Sequence, residues 1–214
     1  MAEPVTSAGP EDFAETPWSS LRPLLTEVPP ATLNPYLDAA AAVLQRQGFS
    51  KTTIPDIARE LRVSRTTVYR QLRSVDDAAR LLAAREVHRL VSTLPRRIAG
   101  KDGARQVALA IGAAVTFASD HPVIRKLIRD EPEVIGPAII GAHRLLVESL
   151  RPVIEPLLHS AMAAGSLASR DPGMITDWLV RIGTSLVLHP TDHPIVPFVE
   201  ELVLPLLSTE PRPS

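Results

Sequence analysis

The chain has 214 residues, 45% of them apolar and 22% charged, with a formal net charge of -1 and no cysteine. These values suit a globular protein of one or two domains and exclude a disulfide framework or a thiolate metal site. Met1-Ala2-Glu3-Pro4 lacks the basic and apolar regions of an export signal. No uninterrupted apolar run approaches the roughly 18–20 residues that span a bilayer, so a cytoplasmic protein without a membrane partner is expected.

Residues 1–31 are acidic and carry Pro4, Pro10, Pro17, Pro23, Pro29 and Pro30 with no sustained period, which predicts a flexible arm. Trp18, Leu21, Leu24 and Leu25 offer a short turn that docks on the body. From Asn34 the pattern becomes helical: Leu37, Ala40, Ala41 and Leu44 share a face, and Gly48 closes the helix. Thr53 with Asp56 opens a second helix, where Pro55 is tolerable in the first turn. Ser64 caps a third. Ile57, Ala58, Leu61, Val63, Val68 and Leu72 are expected to form a miniature core between the second and third helices. Ser74 with Asp77 caps a fourth helix running to about Leu94, where Pro95 is expected to stop it.

Further helices are expected over Lys101 to Asp120 and Pro122 to Arg129, with Asp130-Glu131 in a loop. A long helical segment follows from about Pro137 to Ala164, bent or divided at Pro152 and Pro156 and ended by Gly165. Asp171-Pro172 opens a helix through Leu188, and His193-Pro194 opens another through Leu207. Period-two alternation is nowhere sustained, so the fold class is all-α. The expected division is an arm at 1–31, a helix-turn-helix unit at 32–78, a larger helical domain at 79–209 and a tail at 210–214.

Charge is unevenly placed. Residues 32–94 hold ten lysines and arginines against six acids, whereas both flanking segments are net acidic. That surplus surrounds the pair of short helices at 53–72. Two such helices joined by a tight turn suit insertion of the second into the DNA major groove. On the third helix Arg65, Thr66, Tyr69 and Arg70 share the outer face, with Thr67 and Gln71 beside them. Arg reads guanine bidentately, Thr touches a thymine methyl and Gln pairs with adenine. Thr53, Tyr69 and the free amides near Ser74 suit phosphates, and the cap residue Ser64 stands with them among the DNA-binding candidates. A solvated face on an ordinary bundle is the bland alternative.

Residues 36–85 resemble the N-terminal DNA-binding domain of the TetR family of bacterial transcriptional regulators. The resemblance rests on Tyr36-Leu37-Asp38-Ala39-Ala40, Gly48-Phe49, Thr53-Ile54-Pro55-Asp56-Ile57-Ala58, Val63-Ser64-Arg65-Thr66-Thr67-Val68-Tyr69 and Leu81-Leu82. It implies a homodimer, usually a repressor released from a double-stranded DNA operator by a small-molecule effector. Carried over by motif, the recognition helix is Arg65–Leu72, with Tyr69 at the groove edge and Thr53 at a phosphate. Two positions depart from the family pattern: Arg62 stands where glycine is common in the turn, and Val75 where lysine is common. Arg73 is the expected substitute for that lysine's phosphate contact.

The resemblance further implies a dimer interface built from the last two helices, for which Ile175, Leu179, Ile182, Leu186, Phe198 and Leu202 are the candidates. Phe117, His121, Ile124, His143, Leu146, Trp178 and Arg181 are the candidate pocket residues. Low aromatic content (4%) and abundant aliphatic residues point to a lipophilic effector. The six histidines lack metal-ligand spacing, and no phosphate-cradling glycine motif or nucleophile elbow occurs, so no metal, cofactor or catalysis is expected. The alternative is an architectural DNA-binding or protein-interaction module without small-molecule sensing.

Overall fold

A computed structural model describes residues 28–207. Most of the expected arm, with Trp18, Leu21, Leu24 and Leu25, and the expected tail lie outside the described residues. A short 3-10 turn at Ala31–Leu33 leads into α1 (Asn34–Gln47), followed by α2 (Ile54–Leu61), α3 (Arg65–Gln71) and α4 (Val75–Ile98). Then come α5 (Gly103–Asp120), α6 (Pro122–Asp130), α7 (Pro132–Ala163), α8 (Pro172–Leu188) and α9 (Ile195–Leu207). The described residues contain no strand, and none of their single helices is long and apolar enough to cross a membrane.

Two cores organise these helices. The first joins Leu37, Ala40, Val43 and Leu44 of α1 to Ile57, Ala58, Val68 and Leu72 of the helix pair, and adds Ala78 and Leu82 of α4 and Val123 and Leu127 of α6. The second gathers Val107, Ala108, Ile111 and Val115 of α5 around Leu158, Ile175, Leu179 and Val199 from α7, α8 and α9. Small residues on α5 let neighbouring helices approach closely. A Cβ on Gly112 would lie 3.0 Å from Val196, and one on Gly103 would collide with the Ala161 Cβ. α4 crosses the expected boundary at 78 as one continuous helix.

The structure corrects four local expectations. α4 continues past Pro95 to Ile98. α7 starts at Pro132 and runs unbroken through Pro137, Pro152 and Pro156. Pro152 and Pro156 are four apart on an exposed face, where the carbonyls they leave unbonded meet water and the helix survives. Val63 is 39% exposed and stands outside the miniature core. Glu131 forms the single-residue joint between α6 and α7 and is 7% exposed, buried where a loop was expected.

Candidate nucleic-acid interface

The α2–α3 unit is built from caps that its own sequence supplies. Asp56 Oδ2 accepts from the backbone N–H of Thr53 at 3.1 Å, its hydroxyl at 2.6 Å and Gln47 Nε2 at 3.1 Å. The Thr53 hydroxyl does most to lower this carboxyl to about 2, against an opposing effect of burial. α2 ends in Arg62, at φ 58 the one non-glycine residue of positive φ among those described. The Val63 N–H closes back on the Ala58 carbonyl at 3.0 Å, a Schellman-type stop. Ser64 then caps α3, its Oγ accepting from the Thr67 N–H at 3.1 Å and lying 2.7 Å from the Thr67 hydroxyl.

Val68 and Leu72 are fully buried, which turns Arg65, Thr66, Tyr69 and Arg70 outward. Tyr69 is 52% exposed. Gln71 and Thr67 are half-buried at the margin. Arg62, Arg65, Arg70 and Arg73 have no carboxylate partner among the described residues, whereas Arg46, Arg80, Arg144 and Arg181 are each ion-paired. The face therefore concentrates uncompensated positive charge beside hydroxyl and phenol groups. Two amides near Ser74 are engaged within the chain: the Asp77 N–H donates to Ser74 Oγ at 3.0 Å, and the Arg73 N–H donates to Asp77 Oδ2 at 3.2 Å. Val75 packs against the first core, an apolar use of the position where lysine was expected.

The seven pocket candidates separate. Phe117 and His121 meet at the bend of 67° between α5 and α6, ring centroids 6.4 Å apart, with Ile124 one turn further on. His121 Nδ1 is buried without a hydrogen-bond partner, and burial pulls the imidazole below its ordinary pKa. His143 and Arg181 lie elsewhere, both against Asp177, at 3.7 and 2.7 Å. They line an open groove of about 610 Å³ with Arg144, Val147, Glu148 and Arg151. Leu146 is half-buried on α7, and Trp178 packs against the second core.

Of the six interface candidates, Ile175 (7% exposed) and Leu179 (3%) belong to the chain's own core. Leu186 and Phe198 pack partly against it, and Ile182 is half-buried. Leu202 remains free at 50% exposed, joined by Leu206 at 48%. An apolar stripe on a helix reads alike whether its partner is the same chain or another, and on α8 the same chain covers Ile175 and Leu179.

Two residues escaped sequence reasoning. Arg85 on α4 is buried and bonded across to α1. Glu131 accepts from the backbone N–H groups of Phe49 at 2.5 Å and Ser50 at 2.9 Å. Burial pushes the Glu131 carboxyl up, but these N–H groups outweigh it and leave it below its usual range. Both contacts span more than forty residues, so no local pattern announces them.

Residues 37–74 match the family model described as bacterial regulatory proteins, tetR family. Among curated proteins no sequence matches the chain. Solved structures share the fold at low identity. A TetR-family transcriptional regulator from Pectobacterium atrosepticum is 18% identical over 85% of this chain and 96% of its own, with a TM-score of 0.63. The fatty acid degradation regulator FadR from Bacillus halodurans is 18% identical over 83% and 97%, at 0.59. FadR from Bacillus subtilis in complex with stearoyl-CoA is 17% identical over 80% and 97%, at 0.60. The matched segment coincides with the α1–α3 unit, and the whole chain carries the fold of those solved regulators: residues 37–74 form a helix-turn-helix similar to that of the bacterial regulatory proteins of the tetR family.

Proposed function

We propose that the chain is a ligand-responsive repressor that binds a palindromic operator as a homodimer, with α3 of each copy in a major groove. The observation that carries this reading is the outer face of α3, where Arg65, Thr66, Tyr69 and Arg70 stand exposed and the arginines have no carboxylate partner among the described residues. Arg65, Thr66, Arg70 and Gln71 are assigned to base edges, and Tyr69 and Arg73 to phosphates. Thr53, Ser64, Thr67 and Ser74 hold the helix ends that bring those groups to the groove. Leu202 and Leu206 on α9 supply the apolar surface a second copy would cover.

A lipophilic effector agrees with the aliphatic interior around α5, and the Bacillus subtilis neighbour was solved with stearoyl-CoA. Its point of action is assigned to the Phe117–His121–Ile124 corner, which adjoins α4 through the charges of Glu86, Arg85 and Arg89. α4 contributes to the first core, so its displacement moves α3 away from the spacing of about 34–36 Å that two half-sites require. An effector shifts this equilibrium by no more than its differential affinity for the two states.

Selection of bound duplexes from a random-sequence pool tests the reading, with sedimentation of the complex and titration of stearoyl-CoA as a probe. An inverted repeat bound by two chains, and weakened by the probe, is expected. Equal affinity for all sequences would establish the architectural alternative instead.

A further inference from the structure

The loop between α1 and α2 is a small nest of backbone amides that the chain fills with its own carboxylate. Glu131 reaches it from the α6–α7 joint, one oxygen on each of two consecutive N–H groups, across 82 and 81 residues of sequence. Gly48 opens the nest. Its φ is +85°, and a Cβ there would stand 2.6 Å from Glu131 Oε2, so both the backbone conformation and the space exclude a side chain. The charge of Lys126 contributes less to the lowering of this carboxyl than the Phe49 and Ser50 N–H groups and the Ser50 side chain do, and Lys126 is itself engaged with Asp130. The buried charge is therefore held chiefly by amide dipoles.

From the nest the bonding continues into the reading unit. The Thr52 hydroxyl donates to the Gly48 carbonyl at 2.5 Å. Gln47 Nε2 donates to the Lys51 carbonyl at 2.9 Å and to Asp56 Oδ2, the same oxygen that caps the start of α2. α2 in turn packs on α3 through Ile57, Ala58 and Val68. The apolar contacts of Val123 and Leu127 with the first core tolerate small slides, because dispersion and burial are weakly directional. A two-pronged, charge-assisted hydrogen bond does not.

We propose that Glu131 is a positioning residue that sets the angle of the α2–α3 unit on the helical body, through its bonds to the 48–50 loop. The consequence for operator affinity rests on the DNA-binding reading given above. The orientation itself does not.

The absence of cysteine allows a clean test in the full-length chain. Cysteines placed at Thr66 and Arg144, both exposed, carry spin labels that report the α3-to-α7 distance, diluted with unlabelled chain so that each pair is read within one copy. In Glu131→Gln, one N–H would face an amide NH₂ rather than an oxygen. The distance distribution should broaden or shift and the Phe49 and Ser50 amides should exchange faster, while far-UV helicity stays at the wild-type value. Operator affinity, measured on Glu131→Gln in the cysteine-free chain without labels, should fall about tenfold against the parent, within the usual range of couplings between sites, with a smaller fall for random duplex. Glu131→Asp keeps the charge but withdraws it by one methylene, and gives the same readout should Glu131→Gln fail to fold. An unchanged distance distribution in a folded variant overturns the proposal. A shifted distance, together with a cysteine-free parent chain that binds no DNA, sustains the positioning role and removes the DNA reading.

Discussion

Arg85 of α4 places Nη1 2.7 Å from Asp38 Oδ1 of α1 and 3.4 Å from the Asn34 carbonyl, with its side chain only 8% exposed. Its other partner is Glu86, 14% exposed, at 2.9 Å. A buried guanidinium thereby fastens the first helix of the reading unit to the helix that enters the body. Arg85→Ala strips Glu86 and the Asn34 carbonyl of a donor and should cost about 2–3 kcal/mol in urea unfolding. Asp38 is 64% exposed, so Asp38→Asn should cost less than about 1 kcal/mol. Equal losses would show that the exposed carboxylate, not the buried guanidinium, governs the contact.

Arg62 holds a left-handed conformation that glycine adopts without strain. Relief of roughly 1–2 kcal/mol of strain is partly offset by the greater freedom of glycine in the unfolded chain. Arg62→Gly should therefore raise stability by up to about 1 kcal/mol, and Arg62→Val should lower it by a similar amount because branching at Cβ worsens the clash. Thermal midpoints of the two variants against the parent decide the matter, and a loss in Arg62→Gly would contradict the strain argument.

The Asp56 carboxyl is held at about 2, below its ordinary 3.8. A group whose pKa falls on folding stabilises the native state above its unfolded pKa and loses that contribution as pH drops through the folded value. Cap stability should thus be complete above about pH 4 and drain away toward pH 2. Titration of Asp56 by NMR should show a value near 2 that rises toward 3.8 in Thr53→Val. An unshifted titration in that variant would assign the depression to another donor.

Arg73 has no carboxylate partner for its side chain among the described residues, and its backbone is fixed by Asp77. Arg73→Ala should weaken binding to every duplex alike and reduce the salt slope by about one, the signature of a lost phosphate contact. Arg70→Ala should instead relax sequence preference at a single base position. An unchanged slope in Arg73→Ala would remove that residue from the interface.

Leu202 and Leu206 leave an apolar strip on α9. Replacing both with lysine should leave helicity unchanged and shift the proposed homodimer to monomer in sedimentation, because charge in a buried interface is costly. Persistence of the dimer would move the interface to another face.

Caps were legible in the sequence because donor and acceptor lie three residues apart: Thr53 with Asp56, Ser64 with Thr67, Ser74 with Asp77. The reading face of α3 followed from the same local arithmetic, once Val68 and Leu72 were turned inward. Proline misled at positions 95 and 137, since its effect depends on whether solvent or another group satisfies the carbonyl it frees. Val63 looked like core by composition, but the left-handed turn at Arg62 carries it outward. Glu131 and Arg85 were beyond reach, because each works through a residue far away in sequence.

The first core draws Ala78 and Leu82 from α4 and Val123 and Leu127 from α6. The reading head is therefore not a detachable cassette. A fragment ending after α3 would lack both of these walls and expose Leu37, Val43 and Leu44 to water. Exchanging reading heads between such regulators would require the facing surfaces of α4 and α6 to travel with the graft. On this chain the unit that packs together is larger than the unit proposed to touch DNA.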